Sequence, residues 1–267
     1  FRNLTCTSTY ILSPKIFNFI KKEEICDLEK TIFPRILKAK KLLYAYRSSE
    51  YIKDVGTLER LNVVEKDIQS GKVSRLNKGN KRPAIFLDRD GVINQEVNYV
   101  SKISDLKLIP ASVDAIKKIN TSDYLAVVIT NQAAVAKGLL SEKKLEKIHN
   151  KLETQLAKHG ARLDGIYYCP HHPESGFKKE IKKLKINCTC RKPKIGLIKK
   201  ATYDFNIDLG KSYFIGDTTV DLQCAINANL KFIGVKTGHA MKDNKYMQKR
   251  FILKNNLFEA VNLIFKS

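Results

Sequence analysis

The chain has 267 residues, 43% of them apolar, enough to bury a full core and to form two ordinary domains. Its formal charge of +22 comes from lysines and arginines spread along the whole chain without an aromatic-interleaved basic motif, so we expect a surface that attracts small anions, not a nucleic-acid fold. The apolar run at 124–129 is far short of the roughly 20 residues of a membrane span, and no signal peptide opens the chain, so a cytoplasmic protein is expected.

The first residue is Phe1, and the residues after it read like the interior of a folded unit, so a preceding segment is expected. Residues 70–82 are polar, contain glycine and lack apolar periodicity, which reads as a linker between 1–69 and 83–267. Beyond it the pattern predicts a buried strand at 84–87, a helix at 112–119, a strand at 125–129 and a long amphipathic helix at 141–158. A strand at 165–168, a helix at 195–205, a strand at 212–215, a helix at 221–228 and a strand at 232–235 follow. The expected fold class is therefore α/β, a doubly wound, mostly parallel sheet. In such sheets ligands bind beyond the carboxyl ends of the strands.

Directly after the first predicted strand stands Asp88-Arg89-Asp90-Gly91. Carboxylates at i and i+2 can point the same way as the chain leaves a sheet. One can attack phosphorus to give an aspartyl phosphate, while the other protonates the leaving oxygen and then activates water. Gly91 permits the sharp turn this needs. A third acid, Asp217, ends a later strand, and Asp221 follows one turn into the next helix. So much negative charge beside a phosphate calls for Mg²⁺, which takes a few carboxylates, waters and phosphate oxygens. Thr130, followed by Asn131 and Gln132, offers a hydroxyl and amides to the phosphoryl oxygens, and Lys192 offers a point charge.

Taken in order, Asp88-Arg89-Asp90-Gly91, Thr130-Asn131-Gln132, Arg191-Lys192-Pro193 and Gly216-Asp217 resemble the four motifs of haloacid-dehalogenase-superfamily phosphatases, over about 83–237. The resemblance implies that Asp88 is the nucleophile, Asp90 the acid/base, and Thr130 and Lys192 the phosphoryl stabilisers. It also implies Mg²⁺ on Asp88, Asp217 and the main-chain carbonyl of Asp90.

Cys169-x-His171 and Cys188-x-Cys190 supply four ligands for a closed, structural Zn²⁺ site that would pin a long loop and fix Lys192 nearby. Cys6, Cys26 and Cys224 then read as ordinary buried thiols. Tyr167-Tyr168-Cys169-Pro170-His171-His172-Pro173 and Cys190-Arg191-Lys192-Pro193 are similar to the zinc loop of the heptose 1,7-bisphosphate phosphatases, a group that also resembles histidinol-phosphate phosphatases. That resemblance implies that Arg191 recognises substrate, as do Asn131 and Gln132, and that Glu96, Val97, Asn98 and Tyr99 line its pocket. Two departures stand out. Ala133-Ala134 replaces an expected Ser-Gly, and Thr218 replaces an expected lysine after Asp217. Neither touches the nucleophile, so activity is expected to persist with altered rate or substrate preference.

Tyr10-Ile11-Leu12-Ser13-Pro14, Asp27-Leu28-Glu29-Lys30 and Tyr51-Ile52-Lys53-Asp54-Val55-Gly56-Thr57 resemble the carboxyl-terminal end of sugar nucleotidyltransferases. The expected N-terminal part is a small α/β fragment in which Asp54 is a stranded metal ligand, since the nucleotide-cradling loop is missing. A neighbouring domain of that type favours a phosphorylated sugar as the substrate and partner. The rival expectations are a histidinol-phosphate phosphatase, a DNA 3′-phosphatase of the same fold, or a catalytically silent zinc-stabilised interaction module.

Overall fold

The computed structural model describes residues 6–46, 48, 50–247 and 250–266. It forms two compact units, one of residues 4–48 and one containing everything from 49 onward. In the smaller unit Ser13 caps a 3₁₀ turn at Pro14–Phe19, and Asp27 caps a π-turn at Leu28–Ile32 that runs into α1 (Phe33–Lys38). Ile16, Ile32 and Ile36 are its buried cluster, and Arg35 donates to both oxygens of Glu24 at 2.7 and 2.5 Å.

The larger unit begins with α2 (Leu58–Gln69), capped by Thr57 and without a buried residue, and α3 (Lys72–Arg75). The N-terminal stretch corrects one expectation. Among the described residues of 6–69 the regular elements are all helical, so the α/β fragment lacks its strands. A lone strand leaves its backbone groups unpaired, whereas short helical turns satisfy their own. Residues 1–5 of the expected segment lie outside the described residues. A second correction concerns the thiols. Cys224 is buried, but Cys26 is only half-buried and Cys6 is exposed, because a three-isoleucine cluster cannot cover them.

Residues 70–82 are not a bare linker. Arg75 Nε pairs with Asp123 at 3.0 Å, Asn206 Nδ2 donates to the Lys78 carbonyl at 2.9 Å, and Asp208 N donates to the Arg82 carbonyl at 2.9 Å. These bonds tie the stretch to loops of the larger unit, and the compact units divide near residue 48.

The sheet is built from β1 (Ala84–Leu87), β2 (Leu125–Asn131), β3 (Gly165–Cys169), β4 (Tyr213–Gly216), β5 (Lys231–Val235) and β6 (Ile252–Lys254). Between them lie α4 (Pro110–Asn120), α5 (Glu142–Lys158), α6 (Gly196–Phe205), α7 (Thr219–Asn227) and, after β6, α8 (Leu257–Ile264). The strand order is 3-2-1-4-5-6 and every pairing is parallel. Alternate residues of β1 go to opposite faces. Ile85 and Leu87 pack with Ile116, Leu145 and Val261 from α4, α5 and α8, while Ala84 and Phe86 pack with Ile198 and Ala225 from α6 and α7. Both faces are dry, which is why the strand reads as an unbroken apolar run. Truncating the fully buried Phe86 to alanine would cost about 3–5 kcal/mol.

The order reverses beside β1, which joins β2 on one side and β4 on the other. This is the switch point where a cleft opens beyond the carboxyl ends of the strands. Among the described residues no helix is long and apolar enough to cross a membrane.

Candidate active site

Asp88 follows β1 directly, and its N–H still donates to the Ile215 carbonyl of β4 at 3.0 Å. Its Oδ1 lies 2.9 Å from Lys192 Nζ, which also donates to Asp221 Oδ1 at 2.6 Å. Lys192 is buried, at 4% exposure. Burial opposes its charge, but Asp221 and Asp88 more than offset this and hold the ammonium above its usual range. Asp88 is pushed up by burial, with Asp221 and Asp90 adding to the rise and Lys192 opposing it.

Asp217 follows β4. Oxygens of Asp88, Asp217 and Asp221 lie within 4.8 Å of one another, and the Lys192 ammonium pairs with those of Asp88 and Asp221. Burial, then Asp221 and Asp88, push the Asp217 carboxyl up. Its Oδ2 accepts from His239 N at 2.7 Å, but its buried Oδ1 has no hydrogen-bond partner. Surplus negative charge and an orphaned buried oxygen fit a hard divalent cation such as Mg²⁺. Two glycines make room for that carboxylate. Gly91 (φ +77°) and Gly238 (φ +66°) sit so close that a β-carbon would come 2.4 and 2.2 Å from Asp217 Oδ2.

Asp90 is held on both oxygens. Arg89 donates through Nε and Nη2, Asn94 Nδ2 reaches Oδ1 at 2.9 Å, and Gln132 Nε2 reaches Oδ2 at 2.9 Å. Burial works against its charge, yet Arg89, Asn94 and Gln132 hold it below the usual carboxylate range. Gln132 Nε2 also lies 2.9 Å from Thr130 Oγ1, so one amide joins the acid to the hydroxyl. Asn131 turns its amide on the backbone of Lys192, accepting from its N–H at 2.9 Å and donating to its carbonyl at 3.2 Å. The side chains of Asn131 and Gln132, expected on substrate, are thus engaged in building the site.

The two departures have structural counterparts. Ala133 and Ala134 are buried in the turn after β2. Thr218 caps α7 in a reciprocal box, accepting from Asp221 N at 3.3 Å and donating through Oγ1 to Asp221 Oδ2 at 2.6 Å. It thereby orients the carboxylate that receives Lys192.

Cys169 ends β3, and the loop that follows returns through Cys188 and Cys190 to Lys192. The three sulfurs stand 3.2–3.5 Å apart, and His171 Nδ1 lies 3.2 Å from Cys190 Sγ and 3.7 Å from Cys169 Sγ. Three thiols and one imidazole converging on a point fit a tetrahedral Zn²⁺. Between these ligands the loop has one short 3₁₀ turn, Lys182–Leu184, and is braced by Glu180, which accepts from Gly176 N at 3.1 Å and from Lys185 Nζ at 2.7 Å. Arg191 Nη1 donates to the His171 carbonyl at 3.2 Å, so this expected recognition residue is braced by the same loop.

Of the expected pocket loop, Glu96 is half-buried and faces His239 Nε2 at 3.9 Å. Burial pushes its carboxyl up, and the charge of Asp90 adds to the rise. Asn98 takes a left-handed backbone (φ +64°). Val97 and Tyr99 line a cleft of about 410 Å³ with Gln95, Ser104, Asp105 and Lys107, in which Asp88 and Lys192 have no part. Tyr99 Oη accepts from Lys137 Nζ at 2.6 Å. Asp54 is exposed and bonded to Gly56 N and the Arg60 guanidinium.

Sequence reasoning missed Asn94 and Gly238. Asn94, four residues beyond Asp90 in a tight turn, was within reach of a spacing argument; Gly238 carries no motif and is recognisable only by its closeness to Asp217.

A carboxylate at the switch point of a parallel sheet, with a buried lysine and a second acid beside it, is an arrangement that fits a phosphatase of the HAD-like fold. A HAD-hydrolase-like family model matches residues 189–257. A D-glycero-beta-D-manno-heptose-1,7-bisphosphate 7-phosphatase of Haemophilus ducreyi is 40% identical over 182 residues, covering 67% of this chain and 97% of that protein. A D-glycero-alpha-D-manno-heptose-1,7-bisphosphate 7-phosphatase of Photorhabdus laumondii is 38% identical over 186 residues, covering 69% and 98%. The chain belongs to this heptose-bisphosphate phosphatase family. Among solved structures, the D,D-heptose 1,7-bisphosphate phosphatase of B. bronchiseptica, complexed with magnesium and phosphate, superposes with a TM-score of 0.60 at 29% identity. That match covers 69% of this chain and 98% of the other.

Proposed function

We propose that the chain removes one phosphate from D-glycero-D-manno-heptose 1,7-bisphosphate, the 7-phosphate by analogy with its relatives, through an aspartyl phosphate on Asp88. The observation that carries this is Lys192 Nζ, buried and within 2.9 Å of Asp88 Oδ1, because it pairs the attacking oxygen with a charge able to follow it onto the phosphoryl group. An Asp88 oxygen forms a bond to phosphorus as the bond from phosphorus to the sugar oxygen breaks, and Asp90, which takes up a proton when the substrate's own negative charge lies beside it, gives that oxygen this proton. Asp90 then takes a proton from water as the water attacks the aspartyl phosphate, releasing phosphate and restoring Asp88. Thr130 Oγ1 and Lys192 hold the equatorial oxygens.

Asp88, Asp217 and the Asp90 carbonyl would hold Mg²⁺, which screens the charge gathered on the phosphoryl group. Cys169, His171, Cys188 and Cys190 would hold a structural Zn²⁺. Arg191, with Glu96, Val97, Asn98 and Tyr99, is assigned to the sugar end of the substrate. We read 1–69 as the remnant of a sugar nucleotidyltransferase-like domain without activity of its own. Cys169, Cys188 and Cys190 face one another as thiols suited to hold zinc, and a cytoplasmic setting would keep them reduced.

The test is phosphate release from the purified chain with and without Mg²⁺, comparing heptose 1,7-bisphosphate with histidinol phosphate and a 3′-phosphorylated oligonucleotide. Preference for the heptose, abolished in Asp88→Asn, is expected. Preference for another substrate would keep the chemistry and replace the sugar, and turnover in Asp88→Asn would remove the assigned nucleophile.

A further inference from the structure

Arg89 lies between the two acids in sequence and is completely buried, with 0% of its side chain exposed. A guanidinium keeps its charge in a protein and has donors only, so burial demands an acceptor on each side. Toward the site, Nε and Nη2 reach Asp90 Oδ1 at 3.0 and 2.8 Å, and Nη2 reaches Oδ2 at 2.8 Å. Nη1 meets Nε2 of His149, on α5, at 3.1 Å. Because Arg89 can only donate, that nitrogen is the unprotonated one and His149 is neutral. Burial first, and then the charge of Arg89, push His149 down to about 3, which keeps it neutral across the working range.

His149 is itself held firmly. It is buried, its ring lies 5.5 Å from that of Tyr168 on β3, and its helix is anchored by Leu145, Ile148, Leu152 and Leu156. A chain of contacts thus runs from the packed face of α5 through an imidazole and a guanidinium to the carboxylate that handles protons.

We infer that Arg89 and His149 are positioning residues for Asp90: His149 seats the guanidinium from behind, and the guanidinium presents both Asp90 oxygens in one orientation. This rests on the acid/base role given to Asp90 above. Without the imidazole acceptor, Nη1 becomes a buried donor with no partner, and relief of that cost rotates Arg89 and Asp90 with it. Proton transfer requires hydrogen-bond reach, so it suffers first. A sugar oxygen needs a proton to leave, whereas p-nitrophenolate leaves without one.

The experiment uses the full chain with Mg²⁺ on heptose 1,7-bisphosphate and on p-nitrophenyl phosphate. His149→Leu is expected to lower kcat/KM, which reads the step in which the leaving group departs and not the shared hydrolysis of the aspartyl phosphate, about tenfold on the sugar and less than about threefold on the nitrophenyl ester. His149→Gln, which restores an acceptor, is expected to recover most of the loss. Equal losses on both substrates, or none on either, overturn the inference. If His149→Leu does not fold, Arg89→Lys carries the test, with the same leaving-group pattern expected and the same results overturning it. Asp90→Asn separates the two levels. A loss that ignores the leaving group there removes the acid/base reading and the positioning role with it. A selective loss in Asp90→Asn without one in the His149 variants overturns the positioning role alone.

Discussion

Asn131 and Lys192 are 61 positions apart, yet the side-chain amide of one closes on both backbone groups of the other, at 2.9 Å from its N–H and 3.2 Å from its carbonyl. The end of β2 therefore sets where the lysine leaves its loop. The ammonium reaches Asp88 and Asp221 from a fixed base.

Asn131→Ala is expected to leave the fold intact and to lower kcat about 10- to 100-fold, since a displacement near 1 Å of a phosphoryl-stabilising group has that effect. Two lost hydrogen bonds should also cost about 1–3 kcal/mol in stability. Steady-state kinetics beside thermal melts would check both, and unchanged kcat would mean that Lys192 holds its place by other means.

Gly238 tests the crowding around Asp217. In Gly238→Ala the new methyl would fall 2.2 Å from Asp217 Oδ2 at a positive φ. The backbone alone should cost about 1 kcal/mol, and the displaced carboxylate should weaken Mg²⁺ further. A magnesium titration of activity is expected to shift to at least about tenfold higher concentration. Gly160→Ala, also at positive φ but with nothing within 4 Å, should show the backbone cost without the magnesium shift.

The thiol cluster should make the loop and Lys192 depend on one metal. Metal analysis is expected to find about one zinc per chain, lost in Cys190→Ser. Stripping zinc with a chelator and then restoring only Mg²⁺ should lower the melting temperature by at least about 5 °C and leave activity depressed. Full activity after that treatment would exclude a zinc-supported loop.

His149 gives a pH signature of stability. Its folded pKa, about 3, lies below the ordinary 6.5, so the unfolded chain takes up a proton that the folded chain refuses. The sign follows: stability is fully present above pH 6.5 and is lost as pH falls toward about 3. Arg89 and Asp90 are the charges acting on it, the first opposing protonation and the second favouring it. By pH 5 the loss amounts to about 2 kcal/mol. Denaturant melts of the natural chain and His149→Gln should diverge over this window, with the variant showing the flatter profile.

Much of the site was legible because its residues stand at the ends of apolar runs. Asp88 and Asp217 each directly follow a strand and Thr130 lies at the carboxyl end of one, and the two buried faces of these strands leave an unbroken hydrophobic signature. The cysteine spacing pointed in the same way to a cluster that the fold brings together. What escaped was short or relational. β6 has three residues, too few for alternation to emerge, and the small α8 follows it without a motif. The bond between Arg89 and His149 joins two elements 60 positions apart, and neither residue type announces the other. The helical character of 6–69 was hidden because isolated apolar triplets there read equally well as strand or turn.

The order 3-2-1-4-5-6 also has a consequence for biosynthesis. The central strand is translated early, but its neighbour β4 emerges only after the ribosome has passed β2, β3 and the cysteine loop. At about 5–20 residues per second, Asp88 waits roughly ten seconds for Asp217 and Asp221 to appear. During that interval β1 has an open edge, Phe86 has no partner on β4, and the nascent chain presents a sticky intermediate for chaperones to shield. Premature termination anywhere before β4 therefore yields an aggregation-prone fragment, not a weakened enzyme.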